Sequence, residues 1–221
     1  MPELNKHRFN HLKIHSQYSI CEGAIKIDDL KNFCKDNKIR SLGLSDTSNL
    51  CGALEFAENI SKVGTQPIIG TQIYFKFEDT TGLLPLIALN EKGYKRIIEL
   101  SSKSFLENNA LSEPHLDIKE LLMDTEGVVV LSGTIQGLFG KLFDKGRLEE
   151  ISDLYKKLFS KFDDRFYIEI QRHGHQEIIR TKEEEETEDL LLELADDNRI
   201  PIVATNNVHF KDKRSFEAQD V

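Results

Sequence analysis

Short apolar runs alternate with longer amphipathic stretches along this chain. The short runs are strand-sized and bounded by turn-forming residues, which predicts β-strands. Between most of them, apolar residues recur at helical spacing and predict α-helices. The predicted strands are residues 8–15, 41–44, 67–75, 84–89, 128–131, 166–170 and 202–204. The predicted helices are residues 27–37, 53–63, 94–105, 148–159 and 178–197.

The order of these elements predicts an α/β fold. Strands that alternate with helices are typical of βαβ crossovers, which place parallel strands in a sheet covered by helices. Seven strands can close into a distorted (β/α) barrel, and an open, doubly wound sheet stays the alternative because the pattern does not fix closure. A less regular middle region predicts two strands that meet through a loop at residues 78–82. We expect a single domain over residues 1–221.

Composition argues against several classes of protein. The formal net charge is -9 and no cluster of Lys and Arg is long enough to follow a phosphate backbone, which argues against DNA or RNA binding by this segment alone. The three cysteines form no CxxC pair, so neither a disulfide framework nor a structural zinc knuckle is expected. The first residues lack the apolar core of a signal peptide, and no apolar run is long enough to cross a membrane. These features predict a cytoplasmic protein with no membrane partner.

Polar or ionisable side chains stand at the ends of most predicted strands. Parallel βα units collect the carboxyl ends of their strands on one face, so these groups are expected to converge in one cleft. Ser16 and Ser19, next to the first of them, lack a GxSxG elbow and are expected to serve as turn residues. The strand-end groups are His15, Asp46, Gln72, Thr134, His173 and the pair Asn207 and His209.

Six segments at these strand ends carry recognisable motifs. They read HSQYSICEGA from His15, LSDTSNLCG from Leu44, PIIGTQ from Pro67, VLSGT from Val130, IEIQRHG from Ile168 and ATNNVHF from Ala204. In this order they resemble the PHP (polymerase and histidinol phosphatase) domain at the N-terminus of the bacterial DNA polymerase III alpha subunit. The resemblance covers essentially all 221 residues. It implies a distorted seven-stranded (β/α) barrel, whose active members hold a trinuclear metal cluster and hydrolyse phosphoesters.

Several positions depart from the ligands that the resemblance implies for such a cluster. Lys13 stands in place of one of two paired histidines, and an ammonium group repels a cation. Thr47 stands in place of a histidine, and Gln72 in place of a glutamate. The remaining departures are Leu83 or Leu84 for a histidine, Thr134 for a cysteine and Asn207 for an aspartate. Each change removes a charge or a donor that a multinuclear site requires.

The trinuclear site is therefore expected to be lost, leaving a vestigial cleft without catalytic residues. No tightly held cofactor is expected; at most, zinc or another divalent ion is held weakly. Glu169 is a further surviving acidic group. Lys13 is expected to take the role of a cation and pair with Asp46 or Glu22. The residues left to hold an ion are His15, Glu22, Asp46, His173 and His209.

These departures predict a structural and interaction module. By resemblance, the module supports the polymerase core of its own chain and docks the proofreading 3′-5′ exonuclease subunit. Only the full-length polymerase is expected to contact DNA. The resemblance makes the parent chain a DNA-directed DNA polymerase whose polymerase site lies beyond Val221. The alternative is a residual metal-dependent phosphoesterase or 3′-5′ exonuclease activity in the cleft.

Overall fold

The computed structural model describes residues 9–108, 112–172 and 180–217. The strands are β1 (Ser41–Thr47), β2 (Gln66–Phe77), β3 (Thr80–Ala88), β4 (His115–Asp117), β5 (Val128–Leu131), β6 (Phe166–Gln171) and β7 (Ile202–Thr205). The helices are α1 (Ile27–Asn37), α2 (Ala53–Ser61), α3 (Glu91–Leu106), α4 (Ile118–Met123), α5 (Leu138–Asp144), α6 (Leu148–Phe162), α7 (Lys182–Asn198) and α8 (Lys213–Glu217), with a 3₁₀ turn at Asp163–Arg165. No helix in the described ranges is long and apolar enough to cross a membrane.

The seven strands form one mixed sheet in the order β1-β2-β3-β5-β6-β7, with β4 paired to β2. The pairs β1–β2, β5–β6 and β6–β7 are parallel, as expected. The expectation of a parallel sheet is wrong at β3, which runs antiparallel to both β2 and β5. Only Glu78 and Asp79 separate β2 from β3, and so short a connection can join only antiparallel strands.

The described part of the first predicted strand, residues 8–15, does not form a continuous strand. Residue 8 lies outside the described ranges, and the segment after it makes only isolated bridges at Ile14, to Leu44 of β1 and to Val208 beyond β7. The Ser45 amide donates to the Ile14 carbonyl at 2.8 Å, and the His15 amide donates to the Val208 carbonyl at 2.8 Å. The segment thus links the two edge strands of a sheet that is curled into a half-barrel. This closure favours the expected distorted barrel over an open sheet.

The hydrophobic core consists of two clusters that pack helices against the curled sheet. Its larger part packs the outer helices against the central strands and includes Phe75, Phe139 and Phe166, all fully buried. A smaller cluster beneath α1 and α2 includes Leu42 and Phe56. Burial of each such aromatic side chain contributes roughly 2–3 kcal/mol, so the two clusters form a rigid base for the strand ends that carry polar groups.

The predicted helices correspond to α1, α2, α3, α6 and α7 within a few residues at each end. The bounds of α1 agree with the prediction because its buried residues, Ile27, Leu30 and Cys34, recur at helical spacing. Helix α7 begins later than predicted because Thr181 caps it, in a capping box with Glu184. The short elements β4, α4 and α5 were not predicted, since a few residues carry too little periodicity.

Candidate functional site

Two stacked imidazoles lie at the centre of the cleft formed by the strand ends. The rings of His15 and His209 are almost parallel, with their centroids 4.2 Å apart. His15 is fully buried, and its Nε2 donates a hydrogen bond to Asn207 Oδ1 at 2.9 Å. The Nδ1 atoms of both rings are buried and have no hydrogen-bond partner. Because Nε2 of His15 carries the proton, its Nδ1 presents a free lone pair.

Both imidazoles are neutral at physiological pH. Burial, the neighbouring His209 ring and the Lys13 ammonium lower the pKa of His15 to about 3. Burial also lowers the pKa of His209, although the nearby Glu22 carboxylate opposes this shift. Neutral imidazole is the form that binds a metal ion, so the protonation state of the pair is compatible with ligation.

Asp46, at the end of β1, is occupied by hydrogen bonds from the loop that follows His15. Its Oδ1 accepts from the Ser16 amide at 2.6 Å and from Ser19 Oγ at 2.8 Å, and its Oδ2 accepts from Ser16 Oγ at 2.8 Å. Burial raises the pKa of Asp46 despite these donors. A Cβ at Gly23 would lie 2.2 Å from the Ser16 carbonyl oxygen, so the loop closes only with glycine there. The two serines therefore act as turn residues, and the Asp46 carboxylate stabilises the loop by accepting their hydrogen bonds.

The Thr47 hydroxyl links Glu22 to Gln72 of β2 by hydrogen bonds. Thr47 Oγ1 donates to Glu22 Oε2 and accepts from Gln72 Nε2 at 2.9 Å, while Gln72 Oε1 is buried without a partner. Tyr74 follows Gln72 on the same face of the strand; burial, Glu113 and Glu22 together raise the pKa of Tyr74 to about 12. Tyr74 was not predicted as a cleft residue, although the period-2 alternation after Gln72 points to it.

Lys13 forms its ion pair with Glu169, which corrects the expected pairing with Asp46 or Glu22. Lys13 Nζ lies 3.6 Å from Glu169 Oε1, and both side chains are buried. Lys13 lies on the segment adjacent to Val208, on the β7 side of the cleft, and so it meets a β6 carboxylate. Strand adjacency, which the sequence pattern does not give, decides this partner.

Glu169 is the centre of a second hydrogen-bonded group. Its Oε1 accepts from Thr205 Oγ1 and from Gln171 Nε2, the latter at 2.9 Å, while its Oε2 is buried without a partner. Thr134 Oγ1 lies 3.4 Å from Gln171 Oε1 at the edge of this group. Gln171 and Thr205 were not predicted as cleft residues; Gln171 shares the face of Glu169, and Thr205 shares the face of Asn207.

Three residues of the described cleft form a candidate site for a metal ion. His15, Glu22 and His209 each offer a ligand atom within 4.8 Å of the others, the single such group of three or more found in the described ranges. Two imidazole nitrogens and one carboxylate are a donor set suited to zinc and other divalent ions. Asp46 does not join this group, and Thr47, Gln72, Thr134 and Asn207 supply no charge. His173 and His175 lie outside the described residues.

Curated relatives match nearly the whole chain. It is 35% identical over 225 residues to the DNA polymerase III subunit alpha of Caulobacter vibrioides, covering 96% of this chain and 19% of that protein. The same subunit of Rickettsia felis is 37% identical over 215 residues, covering 96% of this chain and 17% of the relative. The Pasteurella multocida subunit is 35% identical, and the match covers 99% of this chain and 18% of the relative. The chain thus spans less than a fifth of the length of these relatives.

Solved structures share the fold at low sequence identity. A protein from Bifidobacterium adolescentis, assigned provisionally as a metal-dependent phosphoesterase, superposes with a TM-score of 0.59 at 15% identity, covering 93% of this chain and 89% of the other. A two-domain protein from Bacteroides vulgatus that contains a predicted PHP-like metal-dependent phosphoesterase gives a TM-score of 0.53 at 14% identity. The match covers 90% of this chain and 51% of the other. The PHP domain family model matches residues 11–173. With this match and these relatives, the chain belongs to the PHP domain family.

Proposed function

We propose that this chain is the PHP domain of a cytoplasmic DNA polymerase III alpha subunit and that it acts as a structural and interaction module in chromosome replication. The observation that carries the proposal is the Lys13–Glu169 ion pair, buried inside the cleft. An ammonium group already supplies positive charge where a hydrolytic member of the family would hold metal ions. It also consumes a carboxylate that would otherwise serve as a ligand.

The electrostatics of the cleft support the loss of a multinuclear site. Several divalent cations close together need several anionic ligands, because each ion repels the others and the desolvated interior weakens screening. In the described cleft, Asp46 is held by Ser16 and Ser19, and Glu169 is held by Lys13. Glu22 is left as the carboxylate beside the two imidazoles. One carboxylate cannot offset the charge of three divalent ions.

The remaining activities belong to other parts of the proposed assembly. The relatives are more than five times longer than the matched region, so polymerase chemistry is assigned to the rest of the alpha subunit. Contact with DNA is assigned to the full-length polymerase, since this region carries a net charge of -9. Proofreading is assigned to a separate 3′-5′ exonuclease subunit that docks on this domain, because a vestigial cleft cannot supply it in cis.

Two measurements test the module. The first is titration of the purified 221-residue protein, and of the full-length polymerase, with the 3′-5′ exonuclease subunit by isothermal calorimetry; a saturable complex with one or both is expected. The second is a phosphodiester hydrolysis assay of the 221-residue protein with zinc, manganese or iron, in which no metal-dependent turnover is expected. No complex with either form of the protein would refute the interaction role, and turnover abolished by His15→Ala would refute the loss of catalysis.

A second candidate function rests on the compact group of His15, Glu22 and His209. When bound there, a single divalent ion would lower the pKa of a coordinated water and supply hydroxide for phosphoester hydrolysis. Metal content by inductively coupled plasma mass spectrometry, after dialysis against each ion, separates the two candidates. About one equivalent, lost in His209→Ala and kept in the control His115→Ala, supports the single-ion site; below about a tenth of an equivalent supports the vestigial cleft.

A further inference from the structure

An apolar groove runs along the outside of the half-barrel, between α1 and the segment that follows β7. It encloses about 470 Å³. This size lies within the range of protein binding pockets, and most of the lining is apolar. At residues 13–15 the groove and the cleft lie on opposite sides of the chain, since Ile14 lines the groove while Lys13 and His15 belong to the cleft. The apolar residues that line it are Ile14, Ile25, Leu30, Phe33, Val208 and Phe210.

Exposed aromatic side chains lie in the groove and against residues that line it. Phe33, in its wall, is 41% exposed. Phe9, 43% exposed, packs edge-on against His11 in the lining, and Phe216, 53% exposed, packs edge-on against Phe210. Exposed aromatic side chains beside an apolar groove are costly to leave in water and mark an interaction site.

The outer face of β7 continues the same uncovered surface. Thr205 points into the cleft, so the alternating residues Ile202 and Ala204 point outward; both are exposed, Ile202 by 49%. By contrast, β5 is buried along its whole length. Helix α8 follows β7 but buries none of its residues. Parallel strands in α/β folds are covered by helices on their outer face, so the described helix layer has a gap over β7 and the groove.

We infer that an amphipathic helix from elsewhere in the same polymerase chain binds this groove and completes the helix layer. The inference rests on the proposed function, under which more than four fifths of the longer chain lies outside the matched region. Ile202 to Val208 spans roughly 20 Å of extended chain, which a helix of about 13 residues would cover. Asp36 on the rim forms no ion pair with a described residue, whereas Asp29 is paired with Lys211. The helix therefore carries an apolar face and a Lys or Arg positioned to reach Asp36.

Photo-crosslinking in the full-length polymerase tests this assignment. Benzoylphenylalanine replaces Phe33 in one variant and Phe105, an exposed residue of α3, in a control. After irradiation, the Phe33 position is expected to crosslink within one chain to a helix outside residues 1–221, and the Phe105 position is not. Crosslinks from Phe33 only between two copies, only to a separate protein, or none at all would overturn the inference, as would equal crosslinking from Phe105.

Hydrogen exchange gives a second readout that needs no substitution. Backbone amides of α1 and β7 are expected to exchange at least about tenfold more slowly in the full-length polymerase than in the 221-residue protein, because the helix covers both. Equal exchange would contradict the inference. Primer extension by the same full-length preparation distinguishes the two proposals. Absent extension refutes the polymerase assignment, whereas extension without the Phe33 crosslink refutes only the docking of a helix in the groove.

Discussion

The two walls of the cleft hold their buried carboxylates by different interactions. The β1 wall, formed by Ser16, Ser19, Asp46, Thr47 and Gln72, holds the Asp46 carboxylate with the Ser16 amide and the Ser16 and Ser19 hydroxyls. The β6 wall, formed by Lys13, Glu169, Gln171 and Thr205, neutralises its carboxylate with a buried ammonium. Both walls thereby stabilise a buried acid. The comparison shows that two buried carboxylates of one cleft are accommodated in different ways, by neutral donors on one side and by an ion pair on the other.

Breaking the ion pair of the β6 wall is expected to have the largest effect. Lys13→Met leaves Glu169 charged and uncompensated in the interior, which should lower the free energy of unfolding by about 3–5 kcal/mol at pH 7. Urea denaturation followed by circular dichroism measures the loss. The double variant Lys13→Met/Glu169→Gln is the control, and it should recover most of the stability because it leaves no buried charge. A double variant as unstable as the single one would show that the ion pair is not the cause.

Neutralising the carboxylate of the β1 wall should have a smaller effect. Asp46→Asn keeps the shape of the side chain but exchanges an ionic acceptor for an amide that must face the Ser16 and Ser19 donors. The expected loss is about 2–3 kcal/mol, since hydrogen bonds to charged groups are worth more than neutral ones. Urea denaturation of Asp46→Asn beside Lys13→Met makes the comparison directly. A larger loss for Asp46→Asn would reverse the ranking of the walls.

The free energy of unfolding should also fall on acidification, because of the imidazole pair between the walls. The folded pKa of His15, about 3, lies below its unfolded value of 6.5, so the unfolded state binds the proton first. The stability contributed by neutral His15 is complete above pH 6.5 and declines as pH falls towards 3. Between pH 7 and pH 5 it should decrease by about 2 kcal/mol. Urea midpoints across this interval measure the slope, and His15→Gln should flatten it; an unchanged slope in that variant would assign the effect to other groups.

Matched removal of one hydroxyl from each wall should give the smallest difference. Thr205→Val deprives the fully buried Glu169 of a donor, whereas Thr47→Val deprives the partly exposed Glu22, which water can reach. We expect a loss of about 2 kcal/mol for Thr205→Val and about 1 kcal/mol for Thr47→Val. The two variants have the same change in volume, so thermal and urea denaturation compare the hydrogen bonds alone. Equal losses would indicate that burial does not distinguish the walls.

Local patterns predicted the elements that bury a regular face. Helix α1 was predicted at its observed bounds because Ile27, Leu30 and Cys34 form one apolar stripe. The rule that parallel strands gather their carboxyl ends predicted that His15, Asp46, Gln72 and His209 would converge. Gln72 lies in the middle of β2 and not at its end, and it reaches the cleft because it pairs with Thr47 at the end of β1. The antiparallel course of β3 was missed, because alternating apolar residues look alike in either direction.

The sequence by itself determined the α/β class, most of the elements and the set of polar groups at the strand ends, since these depend on side-chain periodicity within a few residues. Tertiary structure alone decided how those groups pair. The hydrogen bond from His15 to Asn207 joins residues 192 positions apart, and the pairing of Lys13 with Glu169 depends on which strands are neighbours. A carboxylate in the sequence is only a potential ligand. Which hydroxyl, ammonium or metal ion it binds depends on distances of a few ångströms, which the folded sheet sets and local sequence does not encode.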